Sequence, residues 1–399
     1  MIDGIIVRRW LHVPDPARPL EPVRVGTIET RRGCRTMDVV NGNRPVPPAL
    51  LGLGVGAALL VAVASTAAQS GSFVDDLLRQ TRFSAAERRA LDAGSAVIKS
   101  LETPVRQELA HFGVVYVDAP TERFIDRFRD IERFESGPGI LQIGRFGSPP
   151  RPEDLASLTL PPKDAAALAR CRPGGCDVKL SAAAMTRFRN QVNWSSPNAA
   201  LQANDIAREM ILELVHAYQA NGNAALGHYD DGGEPLPVAE QFRALLTSGN
   251  QLPLPVPGLM AYLEEYPRGR PAGAEDFFYW SVVDFGLKPT IRVNHVIIHS
   301  LAASPSGVAY VIAIKQLYAS HYFHTTLELR FLVDDGRRAG RHGSYLLSIT
   351  RSRSDGMTGF KGLLLRPIIS RRSRDAVRGY LQHVKRQVER PASVAAALK

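Results

Sequence analysis

Cysteine is scarce in this chain, which has three in 399 residues, and only Cys171 and Cys176 follow the apolar run at 49–65. No second Cys/His pair stands at a spacing suited to zinc. Four residues lie between the two cysteines, whereas a thioredoxin-type redox motif needs two intervening residues. Because the intervening Pro173-Gly174-Gly175 is a turn sequence, we predict a structural disulfide, the default in an oxidising compartment.

Catalytic signatures are absent as well. The sequence has no Gly-x-Ser-x-Gly elbow, no His-Glu-x-x-His motif and no glycine-rich phosphate loop. The adjacent carboxylates, such as Asp230-Asp231, do not establish the separation across a cleft that a glycosidase needs. His295 and His299 share a strand face but would lie roughly 13 Å apart, too far to bind one ion. We assign no catalytic residue, no metal ligand and no cofactor, and the sequence leans against an enzyme without excluding one.

One long uncharged run is present, at residues 49–65, and small residues and then a polar, foldable sequence follow it. This layout is typical of a secretory signal peptide, which we place at 48–68. A retained inner-membrane anchor is the alternative, although the run is short for a span, which needs about 20 residues. Residues 1–47 are then a disordered or mis-annotated extension, with translation beginning near Met37. The mature protein is predicted to be periplasmic or secreted.

Positive charge is concentrated at the C-terminal end, where residues 336–399 hold 15 Lys and Arg against three Asp and Glu. In an exported protein such a surface favours anionic lipid over nucleic acid. We name Arg371, Arg374 and Arg378 as candidates for contact with anionic headgroups. The alternative is an ordinary solvated helix face.

Hydrophobic periodicity divides the remaining chain. Residues 73–111 are predicted to be helical, with a start at Ser84, and a short strand follows at Val114–Val117. A helix is predicted at 121–134, and further helices at 181–191, 198–220, 237–246, 257–266 and 274–285. From Lys288 the period changes to two, which predicts four antiparallel strands before a last helix at about 370–390.

The densest cluster of hydrogen-bonding aromatic residues lies at 315–324. Such side chains suit the wall of a mostly apolar pocket, or are interior residues with satisfied polar ends. The candidate ligand-binding residues are Tyr318, His321, Tyr322, His324, His295 and Arg353.

The order of these elements carries a resemblance. A strand ending in Asp118-Ala119-Pro120, an amphipathic helix at 121–134, an antiparallel meander and a long C-terminal helix resemble the helix-grip layout of START-like proteins of the polyketide cyclase and lipid-transfer type. This resemblance implies a cavity for an apolar ligand between sheet and helix. About 150 residues of helical sequence interrupt the layout. The stretches 175–180 and 315–322 are also similar to exported bacterial proteins of no assigned function.

We therefore predict an α+β fold in which an antiparallel meander sheet grips a long C-terminal helix, with a large, mostly α-helical insertion. The predicted divisions are 69–135 for the N-terminal helices with the first strand and helix of the helix-grip unit, 136–287 for the insertion, and 288–399 for the sheet and last helix. The expected function is binding of a lipid or other apolar small molecule, at an anionic membrane surface or away from it. The alternatives are an envelope enzyme acting on a lipid or polyketide-like substrate, and a non-catalytic envelope interaction protein.

Overall fold

The computed structural model describes residues 73–248, 256–286, 288–301, 307–334, 343–355 and 359–391, without the side chains of residue 257 and residues 359–365. The predicted extension 1–47, the start at Met37 and the signal segment 48–68 lie outside the described residues. Within these ranges, no helix has both the length and the apolar character that a membrane span requires.

Ten α-helices and ten strands make up the described chain, together with two short 3-10 turns at Pro152–Leu155 and Gly222–Leu226. The helices are α1 (Phe73–Gln80), α2 (Ala85–Asp92), α3 (Thr121–Arg129), α4 (Ile131–Glu135), α5 (Pro162–Leu168), α6 (Ala182–Gln191), α7 (Ala199–Asn221), α8 (Val238–Thr247), α9 (Pro257–Glu265) and α10 (Gly359–Glu389). The strands are β1 (Val97–Leu101), β2 (Glu108–Val117), β3 (Ile140–Arg145), β4 (His228–Tyr229), β5 (Leu236–Pro237), β6 (Ala274–Asp284), β7 (Pro289–Ser300), β8 (Val308–Ala319), β9 (Phe323–Asp334) and β10 (Ser344–Ser354).

Eight of these strands form one antiparallel sheet in the order β1-β2-β10-β9-β8-β7-β6-β3. Strands β6 to β10 follow one another as a meander, because each pairs with the next along the chain. The sheet is completed by pairing β2 with β10, which lies more than 200 residues later. The predicted α+β class, with a meander sheet, a long C-terminal helix and a helical insertion, is confirmed.

Each face of the sheet is covered by a different set of helices. The face that we call the α10 face packs against α3, α4 and α10, and its buried residues include Val296, Ile314, Leu332, Phe128 and Leu381. The opposite face, here the insertion face, packs against α1 and the helices between β3 and β6, with buried residues that include Val293, Phe331, Tyr218, Phe242 and Leu263. Alternation along every strand therefore places successive side chains in two separate cores.

α10 packs against β2 at Gly113. A Cβ added there would lie 2.6 Å from Leu381 Cδ1 and 3.5 Å from Val377 Cγ1. Separations near 2.6 Å are far inside van der Waals contact, so a larger residue at this position would displace the Leu381 side chain of α10. The C-terminal half of α10 is thus fixed over β1 and β2.

Two predicted helical segments are wrong. The segment 73–111 is helical only to Asp92, and its remainder forms β1 and the start of β2. The segment 274–285 is β6, a central strand paired with both β3 and β7. Its run of aromatic and β-branched residues suits a strand that is buried on two faces. The predicted start at Ser84 is confirmed, since Ser84 and Glu87 form a capping box at the start of α2.

The predicted disulfide between Cys171 and Cys176 is present, with a Cα–Cα distance of 4.4 Å. It closes a small loop in the insertion, beside a hydrophobic cluster that contains Met185 and Phe188. We expect replacement of both cysteines by alanine to lower the free energy of unfolding by about 2 kcal/mol, because a short loop loses its closure constraint. Denaturation in urea measures this change, and reduced wild-type protein should match the variant. Equal stability of oxidised and reduced protein would contradict the prediction.

Candidate ligand-binding site

A row of polar side chains crosses the α10 face on neighbouring strands. Tyr279 is the cross-strand partner of Asn294, and Asn294 is the partner of Gln316. Continuing the register of β8 and β9 by one residue places Thr326 beside Gln316, and Thr326 pairs with Ser352 of β10. We call these five residues the polar row. They share a face because side chains two residues apart on a strand point the same way, and directly opposite partners lie side by side.

The polar row is buried and incompletely hydrogen-bonded. Asn294 is 0% exposed and Gln316 is 1% exposed. Neither amide atom of Asn294 has a partner, and Gln316 Nε2 and Thr326 Oγ1 have none. A buried polar group without a partner costs roughly 1 to 3 kcal/mol, so native proteins normally satisfy such groups with protein, water or ligand. Asn294, Gln316 and Thr326 therefore adjoin one another on the α10 face with polar atoms that the protein leaves unpartnered.

Apolar side chains continue directly from the polar row on the same face. Phe277, Val296 and Ile314 lie two residues further along their strands. Phe277 pairs with Val296, Val296 pairs with Ile314, and Ile314 pairs with Glu328 of β9. All three are buried in the core beneath α3, α4 and α10. The α10 face therefore changes from polar to apolar within about 7 Å, the spacing of two residues along a strand.

Charged residues adjoin the polar row and are largely paired with one another. Arg330 is fully buried, and its Nε donates to Glu328 Oε1 at 2.8 Å, while its Nη2 lies 3.3 Å from Glu135 Oε1. Burial raises the pKa of Glu328, but the charge and hydrogen bond of Arg330 outweigh this effect and leave that pKa below its ordinary value. The Tyr380 hydroxyl of α10 donates to Glu135 Oε1 at 2.7 Å. This network joins the sheet to α4 and α10.

Arg292 and Gln316 are joined by a hydrogen bond from Arg292 Nε to Gln316 Oε1 at 3.2 Å. A guanidinium has donors only, so the atom that it contacts must be the amide oxygen of Gln316. This contact fixes the orientation of the amide and directs its NH₂ group away from Arg292. The unpartnered Gln316 Nε2 is thus held in place by a charged neighbour.

His111 and Arg374 form a second group of incompletely paired residues, where α10 crosses β2. His111 Nδ1 lies 3.3 Å from Ser100 Oγ, and its Nε2 has no partner. Burial lowers the pKa of His111 to about 4, and the charge of Arg374 adds to this effect. Arg374 Nε is also buried and without a partner. His111 is consequently neutral at pH 7, with one ring nitrogen available on the α10 face.

The four predicted site residues near the turn between β8 and β9 each have a protein partner. Tyr318 Oη donates to the backbone oxygen of Lys179 at 3.0 Å, and Tyr322 Oη accepts from the backbone N–H of Lys288 at 2.7 Å. His321 Nε2 lies 2.8 Å from Asp164 Oδ2. His324 Nε2 lies 2.5 Å from Asp355 Oδ1. The contacts of Tyr318 and His321 join this turn to the insertion, whereas the contacts of Tyr322 and His324 join it to the start of β7 and the end of β10.

Asp355 links the turn between β8 and β9 to the insertion. It also forms an ion pair with Lys179, which is almost fully buried and lies 3.5 Å from Asp231. Burial raises the pKa of Asp355, but the His324 hydrogen bond and the Lys179 charge outweigh this and lower it below its usual value. A positive charge shared between two carboxylates therefore holds the insertion against the end of β10.

The remaining predicted site residues lie in several places. His295 and Arg353 are buried, and Arg353 Nη2 donates to Gln107 Oε1 at 3.2 Å. Of the three arginines proposed for headgroup contact, Arg371 and Arg378 are exposed, and Arg378 pairs with Asp375 at 3.1 Å. Arg374 instead has its Nε buried. The described residues contain no group of three or more His, Cys, Asp or Glu arranged to hold a metal ion.

His295 belongs to a chain of titratable side chains on the insertion face. Asp276 Oδ2 lies 3.5 Å from His295 Nε2, His295 Nδ1 lies 3.2 Å from Tyr218 Oη, and Lys315 Nζ lies 3.1 Å from Tyr218 Oη. Lys315 is fully buried, and it also donates to Asn223 Oδ1 and faces the ring of Phe242. Burial lowers the pKa of Lys315 well below its usual value.

Sequence reasoning missed the polar row, His111 and Lys315. The sequence feature that could have revealed them is a polar residue within a strand whose other residues are apolar or buried. Asn294 and Gln316 each lie beside a β-branched or leucine residue in a strand that has few exposed positions, and Lys315 occupies the same alternating positions as Val311 and Ala313. Periodicity alone treats such residues as the solvent side of a half-buried strand.

Comparison of the chain with family models, with curated proteins and with solved structures finds no significant match. The function is therefore inferred from the geometry of the chain itself.

Proposed function

We propose that the protein binds a small amphipathic molecule at the polar row on the α10 face of the sheet. The observation that supports this most directly is the polar row, in which Asn294, Gln316 and Thr326 are buried with unpartnered polar atoms. A molecule with a polar end would complete these hydrogen bonds, and its apolar part would contact the neighbouring Phe277, Val296 and Ile314. The START-like resemblance of the chain implies a ligand on the sheet face that carries the long helix, which is the face of the polar row.

Export and membrane contact are part of the proposal. The apolar run 49–65 suits an export signal, and the disulfide between Cys171 and Cys176 suits an oxidising compartment. Exposed Arg371 and Arg372 lie on α10 near Ile368, an exposed large apolar residue. Cationic and apolar side chains together suit contact with an anionic membrane surface, from which an apolar ligand would be collected.

The experiment is native mass spectrometry of the full chain, purified from a bacterial envelope fraction, followed by organic extraction. We expect a small molecule to accompany the wild-type protein. A variant with Asn294→Leu and Gln316→Leu should lose it, whereas Thr325→Val should keep it. Thr325 is a suitable control because it is adjacent to Thr326, also buried and also unpartnered, but on the opposite face. The same molecule on all three proteins, or none on the wild type, would contradict the proposal.

An enzyme is the second candidate, and His111 is the observation that favours it. Its Nε2 is unpartnered on the α10 face, and Ser100 holds its other ring nitrogen. A general base works best with a pKa near the working pH, however, and burial lowers the pKa of His111 to about 4. His111 is better suited to hydrogen bonding than to proton transfer, which favours binding over catalysis.

A further inference from the structure

Hydrogen-bond donors outnumber acceptors among the unpartnered atoms of the α10 face. Asn294 Nδ2 and Gln316 Nε2 each carry two N–H groups, and Arg374 Nε carries one. Among the described residues of this face, the only unpartnered atom that can solely accept is Asn294 Oδ1. Exchanging the two ends of the Asn294 amide leaves this count unchanged, and the Arg292 contact fixes the amide of Gln316. A ligand that is rich in acceptors would complement this face.

The carboxylates of this face are already bound. Glu328 Oε1 accepts from Arg330 and from Ser348 Oγ at 3.2 Å. Glu135 Oε1 accepts from Arg330 and from Tyr380. Arg330 hydrogen-bonds both acids, and the charge of Arg292 also acts on Glu328. The Nε of Arg292 donates to a neutral amide at 3.2 Å, so its positive charge lies beside the middle of the polar row, next to the unpartnered donors of Gln316.

We propose that the polar end of the ligand is an oxyanion, a carboxylate or a phosphate, held by Arg292, Gln316 and Asn294. This inference rests on the proposed function and specifies the chemical class of its ligand. The apolar part of the ligand then lies over Val296 and Ile314. Hydrogen bonds from charged or amide donors to an oxyanion are shorter and stronger than bonds to a neutral hydroxyl, which gives the site a preference for acids over alcohols of the same length.

The test compares two probes that differ only in the head group, dodecanoate and dodecanol, by calorimetric titration of the delipidated full chain. We expect dodecanoate to bind about 10-fold to 100-fold more tightly, the range of one charge-assisted hydrogen bond. Arg292→Gln and Gln316→Leu should reduce this ratio to near one and leave the dodecanol affinity within about threefold, since the apolar contacts remain. The matched control Thr325→Val should keep the full ratio.

The outcomes separate the two proposals. Equal affinity for the acid and the alcohol in the wild type would overturn the oxyanion inference and leave amphipathic binding standing. Binding of neither probe, together with no extractable ligand, would overturn both. Vesicles of phosphatidylglycerol distinguish the source of the anion. Extraction of labelled lipid that Arg292→Gln abolishes would indicate a phospholipid headgroup in the polar row, whereas uptake of dodecanoate alone would indicate a free acid. A preference for the acid that persists in both Arg292→Gln and Gln316→Leu would also contradict the inference.

Discussion

Replacing Asn294 by leucine is expected to raise the free energy of unfolding of the ligand-free protein by about 1 to 3 kcal/mol, while abolishing ligand binding. The amide is fully buried and neither of its polar atoms has a partner, so in the absence of ligand it carries a desolvation cost with no compensating bond. Leucine has a similar shape and no polar atom. Urea denaturation of both proteins after delipidation measures the change in stability, and titration with dodecanoate measures the loss of binding.

Asn223 provides a matched control for this prediction. Its Nδ2 donates to the backbone oxygens of Leu263 and Glu264, and its Oδ1 accepts from Lys315. Asn223→Leu should therefore lower stability, by about 1 to 3 kcal/mol, because three partners lose a bond. If Asn294→Leu also destabilised the protein, Asn294 would have a structural role and the polar row would not be a ligand site.

Lys315→Met is the second substitution with a large expected effect. In the unfolded chain a lysine keeps its proton to about pH 10.4. In the folded chain burial lowers the pKa of Lys315 well below that value. Between these two pKa values the unfolded state binds more protons, so stability increases with pH by up to about 1.4 kcal/mol per unit. We expect Lys315→Met to remove this slope below the pH at which an unfolded tyrosine ionises, about pH 10, and to be more stable at neutral pH, by about 1 to 3 kcal/mol.

The pH range of this measurement excludes the buried tyrosines. Burial raises the pKa of Tyr218, so that group lowers stability only where an unfolded tyrosine ionises, near pH 10. Lys179→Met is the comparison variant. Lys179 is equally buried but pairs with Asp231 and Asp355, so its loss leaves carboxylates uncompensated and should destabilise the protein. An unchanged pH slope in Lys315→Met would show that Lys315 is protonated in the folded state.

The strands after Lys288 were predictable because their alternation of apolar and polar residues has a period of two. What alternation cannot show is whether the second face meets water or another layer of protein. Asn294, Thr326 and Arg330 occupy the polar positions of that pattern, yet all three are buried beneath helices from distant parts of the chain. Their burial depends on tertiary packing, so the sequence alone does not identify them as candidate site residues.

The first half of the sheet was less predictable for a related reason. β6 has few polar residues among Phe277, Phe278, Tyr279 and Trp280, and a run without alternation suits a buried helix as well as a strand that is buried on both faces. The predicted pocket at 318–324 had the right residue types for a ligand. In the structure the polar ends of Tyr318 and His321 contact Lys179 and Asp164 of the insertion, which are more than 130 residues away in the sequence.

The pairing of β2 with β10 has a consequence for the order of folding. During synthesis β2 is complete at Val117, but its partner begins at Ser344. At roughly 5 to 20 residues per second, the ribosome takes about 10 to 50 s to make the intervening chain. Through that interval the edge of β2 that later pairs with β10 has no strand partner, because β1 pairs with the other edge, and sheet closure must wait for β10. A chaperone that binds this protein during synthesis would therefore need to cover β2 for the longest time, before the proposed ligand site has formed.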